Sequence, residues 1–175
     1  MDTTEQQDFV FTVSVQGHGD YPEEQVLENP EITVEGIEDE GLKNKWEYYV
    51  NQVYEMDQFA GNLIQAIEDR GEPTVVVFYG DHLPTMGLEA KDLKSRYLYN
   101  TNYVIWDNIG LPKEDRNIPS YQIMADVLER LDIPFRNCVQ LSSGTAPDQK
   151  LSVRPGAFCS MIFCMAISTC ITASA

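Results

Sequence analysis

The chain has 175 residues, 43% hydrophobic and 23% charged, a balance that excludes a disordered or fibrous protein and leaves room for one domain with a real core. Its 28 acidic and 12 basic residues give a formal net charge of −16, which repels nucleic acid and anionic membrane surfaces, both of which are bound through Lys and Arg. The four cysteines show no C-x-x-C spacing, so neither a zinc knuckle nor a dithiol redox site is supported.

Met1 is followed by Asp2, Glu5 and Asp8, the wrong charge for a secretory leader. Two expectations follow: an intracellular protein, or a chain whose amino-terminal portion is missing. Phe9 to Val15 has strand composition and runs into a glycine-rich turn, Gln16-Gly17-His18-Gly19-Asp20-Tyr21-Pro22. Glu23 to Gly41 is acidic and proline-bearing and reads as a surface excursion. From about Leu42 to Arg70, Trp46, Tyr49, Val50, Val53, Met56, Ala60, Leu63, Ile64 and Ile67 recur in steps of three and four. That spacing predicts one long amphipathic helix, stopped by Gly71 and Pro73.

Thr74 to Tyr79 is a short apolar run of strand type, followed by Gly80-Asp81-His82-Leu83-Pro84. Thr85 to Asn100 reads as a polar connection with a helical turn near Glu89 to Arg96. Asn102 to Trp106 predicts a third strand, Asp107 to Asn117 a loop, and Ser120 to Leu131 a second helix with Pro134 at its exit. Strand, helix, strand, strand, helix is an α/β pattern. After Asn137 the character changes. Ala157 to Ala175 is nineteen residues without charge, near the lower length of a membrane span, yet Ser and Thr recur and no basic cluster follows. The division expected is therefore a domain over residues 1–137 and an atypical tail, disordered or non-native, over 138–175.

The chemistry concentrates at Asp81 and His82. A carboxylate beside an imidazole is a donor pair for a divalent ion, and the carboxyl end of a strand is where ligands gather in open α/β sheets. Neighbouring side chains on a regular strand face opposite ways, so the pair shares one ion only if the chain bends there; Gly80 and Pro84 favour a bend. The competing reading is an Asp capping a turn beside a His packed on the sheet. His18, the other histidine of the two, also follows a strand and sits between glycines. It is suited to a phosphate oxygen or to proton transfer, or else is an exposed turn residue. Asp20 and Tyr21 are candidates to support His18, or else read as a turn residue and a lid aromatic, while Thr85, Arg96 and Asp107 have only position in their favour. No Walker loop, G-x-G-x-x-G or G-x-S-x-G occurs.

With these residues placed, the chain resembles the sulfatase/alkaline-phosphatase superfamily. The resemblance rests on the strand and turn bearing His18, the helix segment Tyr48-Tyr49-Val50-Asn51-Gln52-Val53-Tyr54-Glu55-Met56-Asp57, the run Val-Val-Phe-Tyr-Gly-Asp-His ending at His82, and Tyr121 to Leu131. More narrowly, it is similar to the extracellular domain of lipoteichoic-acid-synthase-like phosphoglycerol transferases, over about Asp8 to Pro134. The fold implied is part of an α/β sandwich with a mixed, mostly parallel sheet flanked by helices.

The resemblance further implies that Asp81 and His82 are ligands to a divalent metal, usually manganese, and that His18 contacts the phosphoglycerol group. It implies two-step transfer of a phosphate ester, or sulfate-ester chemistry, in cell-envelope polymer synthesis, with a phosphoglycerol-bearing lipid or polymer as substrate and no nucleic acid. The family's threonine nucleophile and glutamate ligand match no position here. By resemblance this is the carboxy-terminal part of an enzyme at the outer face of the cell membrane, joined to the membrane through an amino-terminal region and inactive alone. The alternative is a non-catalytic acidic α/β binding or structural module.

Overall fold

The structure is a computed structural model that describes residues 8–133 and 160–166. β1 is Phe9–Ser14. α1 is Glu40–Arg70, two residues longer at its start than the stripe predicts, because Asp39 caps it. The Asp39 carboxylate accepts from the Leu42 amide at 2.7 Å. Gly71 closes the helix in the left-handed region (φ 69°), where a side chain would be strained, and its amide bonds back to Ile67 and Glu68.

β2 is Thr74–Gly80 and β3 is Tyr103–Asp107, each within a residue of the predicted span. Ser120 to Leu131 divides into a 3₁₀ turn, Ser120–Gln122, and α2, Ile123–Arg130. The helical turn expected near Glu89 to Arg96 is a 3₁₀ turn over Ala90–Asp92. β4, Ser160–Ala166, lies inside the stretch read from sequence as a tail; the rest of that stretch, and the 1–7 end, fall outside the described residues.

The sheet order is β1-β4-β2-β3. β4 runs parallel to both β1 and β2, and β3 is antiparallel to β2. This is the mixed, mostly parallel α/β sheet that the resemblance implies. Successive residues of β2 point to opposite faces, so its run of valines feeds two cores. Val75 and Val77 pack with Ile123, Val127 and Leu131 beneath α2. Val76 packs with Ile67 of α1, joined by Val10, Leu63, Phe78 and Trp106. On the face of β1 away from Val10, Phe9, Phe11 and Val13 are exposed.

The acidic excursion does not float. Buried Glu47 accepts from the Val34 amide at 3.2 Å and from Gln25 at 3.1 Å. Buried Asn51 bonds both ways with the Ile32 backbone, at 3.1 and 2.8 Å. Buried polar positions beside the α1 stripe thus carry the loop. Asp107 caps the turn after β3, accepting from Ile109, Gly110 and Leu111.

α2 is fastened by a buried carboxylate. Asp126 lies 2.7 Å from Arg116 Nη1 and 2.8 Å from Arg130 Nε, and the Arg130 side chain is only 10% exposed. Removing one partner of a buried pair leaves an uncompensated charge, whereas replacing both with apolar groups avoids that cost. Asp126→Ala is therefore expected to lower stability by about 3–5 kcal/mol in urea unfolding. Joining Asp126→Leu to Arg130→Met should recover most of that loss. Equal stability of Asp126→Ala and the parent would show that the cluster carries no weight.

Candidate active site at the carboxyl ends of β1 and β2

β4 sets β1 and β2 level. Ala166 is in register with Ser14 on one side and with Gly80 on the other. The two strands therefore end at one rim, the loop bearing His18 leaving β1 there and the loop bearing Asp81 and His82 leaving β2. This is the position expected of ligand-binding loops in an open α/β sheet.

Direct contacts join the loops. Tyr21 is only 8% exposed, and its hydroxyl donates to the Gly17 carbonyl at 2.7 Å. Its ring meets Tyr49 of α1 edge to face, with centroids 5.6 Å apart. Burial pushes the Tyr21 hydroxyl above its ordinary pKa, and hydrogen bonds from Thr85 pull partly the other way. Gly19 approaches the same threonine so closely that an added Cβ would stand 3.1 Å from Thr85 Oγ1. The reading of Tyr21 as a lid aromatic is thus corrected: it is a buried clasp between two loops and a helix. Thr85, which has no sequence signal, is the other half of that clasp. Neither is visible in a periodic pattern, because the contact joins residues more than sixty positions apart.

The chain bends at Asp81 and His82, directly after β2. Asp81 Oδ2 and His82 Nε2 lie 3.5 Å apart, and both side chains are partly exposed. The other Asp81 oxygen accepts from the His82 amide at 2.7 Å, which holds the carboxylate beside the ring. His82 Nδ1 is 2.8 Å from the Leu83 carbonyl oxygen. A carbonyl only accepts, so in the neutral ring Nδ1 carries the proton and Nε2 presents its lone pair toward Asp81.

Metal–ligand bonds of about 2.0–2.2 Å separate two ligands on one ion by about 3–3.5 Å. The oxygen and nitrogen at this bend therefore fit two positions of a divalent cation. Among the described residues no group of three or more His, Cys, Asp or Glu is placed to hold one, so the pair by itself is a partial donor set. His18 is exposed, its amide bonded to the Val15 carbonyl at 3.1 Å, and its imidazole is free to meet a ligand at the rim.

A profile described as Sulfatase matches residues 1–133. The chain belongs to the sulfatase family. It is also 30% identical, over 129 residues, to a Rhizobium meliloti (strain 1021) protein named for cyclic β-1,2-glucan modification, a match that covers 65% of this chain and 20% of that protein. The sulfatase-family chain thus spans about a fifth of this relative's length. No solved structure matches significantly.

The clasp yields a stability test. A hydroxyl that resists ionisation in the fold contributes stability that is complete below the ordinary tyrosine pKa of about 10 and is lost as pH rises through the raised value. Tyr21→Phe should cost about 1 kcal/mol at neutral pH, through the lost bond to Gly17. It should also lessen the fall in stability above about pH 10. Burial likewise raises Tyr79 and Tyr103, so some alkaline loss will remain. Urea unfolding across pH 7–11 reads both effects; an alkaline slope unchanged from the parent would refute the role given to this hydroxyl.

Proposed function

We propose that this chain forms part of a metal-dependent sulfatase-family transferase that moves a phosphoglycerol group onto a hydroxyl of a cell-envelope glycan. The observation that carries the reading is the Asp81–His82 bend, with an oxygen and a nitrogen 3.5 Å apart at the rim to which Tyr21 and Thr85 fasten the His18 loop. Family membership supports ester chemistry at this centre, and the relative's name supports a glucan as the molecule modified.

Asp81 and His82 would hold a divalent cation of the manganese class, with further ligands from outside the described residues. When bound, such an ion supplies positive charge against phosphate oxygens and favours the ionised form of an attacking hydroxyl. Asp81 contributes the negative charge, and the His82 ring is kept in the correct tautomer by the Leu83 carbonyl. His18, carrying a proton, donates to a non-bridging oxygen of the phosphoglycerol group and orients it. In the transfer, the bond between phosphorus and the donor's ester oxygen breaks. A bond from phosphorus to a nucleophile hydroxyl oxygen supplied by another part of the enzyme forms, and the proton that hydroxyl loses is balanced by one taken up by the departing donor oxygen. In a second exchange the acceptor oxygen bonds phosphorus as the enzyme oxygen–phosphorus bond breaks, and the acceptor's proton balances the one regained by the nucleophile.

A non-catalytic acidic module is the competing reading, favoured by the shortage of ligands among the described residues. A complete enzyme carrying this chain separates the two. Asp81→Asn and His82→Ala are expected to lower manganese affinity about tenfold or more, measured by metal analysis after dialysis, and to lower turnover in step. His18→Ala should retain the metal and lose turnover. Chelation should abolish turnover, and added manganese should restore it. Full metal content in both Asp81→Asn and His82→Ala would sink the assignment.

A further inference from the structure

Asp81 has a second neighbour besides the His18 loop. Because β2 lies between β4 and β3, the His18 loop approaches from one side, while on the other side an open cleft of about 610 Å³ runs between the ends of β2 and β3. Asp81 forms one wall, and Tyr79, Tyr99, Asn100, Asn102, Tyr103 and Ser120 are among the others. The volume falls within the range of about 300–1,000 Å³ usual for small-ligand sites. We infer that this cleft binds a neutral saccharide, the acceptor, with one hydroxyl directed toward Asp81 and His82. Its role as an acceptor subsite rests on the transfer reaction proposed above; the binding itself does not.

Three features of the lining carry the inference. The first is charge: in a chain with 28 acids, Asp81 is, among the described residues, the single carboxylate of this cleft. Its single cation, Arg116, already pairs with Glu114 and Asp126. An anionic ligand therefore finds no spare cation there and meets the Asp81 carboxylate. The second is hydrogen bonding. Asparagine amides both donate and accept, which suits adjacent sugar hydroxyls, and Asn100, Asn102 and Asn117 supply three of them.

The third is aromatic surface. Tyr99 is 94% exposed, so packing does not account for a large ring at the mouth of the cleft. The electron-rich face of such a ring accepts the C–H face of a pyranose. Tyr103 is fixed beside it, its hydroxyl donating to the Arg116 carbonyl at 3.1 Å.

The test uses the whole chain, isotopically labelled, titrated with a short linear β-1,2-glucan and separately with glycerol 3-phosphate. Saccharide should shift the amides of Tyr99 to Tyr103 and of Asn117, Ile118 and Ser120, and Tyr99→Ala should weaken its binding about fivefold to tenfold. Exposed Tyr99 can be truncated without unfolding the chain, and Asn102→Ala serves as a second variant. Gln65→Ala, exposed on α1 and outside the cleft lining, should bind saccharide like the parent. Absence of those shifts at millimolar saccharide overturns the inference, as does parental affinity in both cleft variants or the same shifts produced by glycerol 3-phosphate alone. Metal loss in His82→Ala without saccharide binding would leave the transferase reading standing and remove this one; saccharide binding with metal fully retained would do the reverse.

Discussion

Tyr21 joins the parts on which this site depends. Its ring is sealed against Tyr49 of α1, its hydroxyl reaches Gly17 on the loop after β1, and Thr85 meets it from the loop after β2. A buried tyrosine needs a polar partner, and here the partners belong to the loops that must be held together. Loops are the most easily displaced parts of an α/β fold. Spacing between His18 and the Asp81–His82 bend is thus controlled by an aromatic core contact and a few hydrogen bonds, not by the sheet alone.

The fold was largely legible in the sequence where periodicity is local. The valine run of β2, the three-and-four stripe of α1 and the glycine beyond it each predict an element within two residues of its observed bounds. β4 was not legible, because Ser160 to Ala166 sits in an uncharged, Ser- and Cys-bearing stretch without alternation or turn signals. Its pairing with β1 and β2 is a non-local property. Burial of polar Glu47 and Asn51, which lie beside the predicted apolar stripe of α1, was not legible either, because it follows from the acidic excursion that bonds to them.

The site divides in the same way. Gly80-Asp81-His82 and His18 stand out by residue type and by their position after strands. Tyr21 and Thr85 do not, since a ring in a turn and a threonine in a loop look alike whether exposed or joined across the fold. Asp107 shows the converse: a carboxylate at the end of a strand, where Asp81 directly follows one, yet with one oxygen accepting from three backbone amides of the turn that follows. Only the bend and the donor separation distinguish a carboxylate available to an ion from one consumed by a turn.

The bare outer face of β1 bears on behaviour in bulk solution. Phe9, Phe11 and Val13 form an oily row on a strand that, among the described residues, ends the sheet. Such a row on an unpaired border invites sticking between molecules. The excess of carboxylates keeps copies apart by mutual repulsion. Acidifying the medium toward the isoelectric point removes that barrier while leaving the oily row intact, so colloidal stability should fail before the fold does.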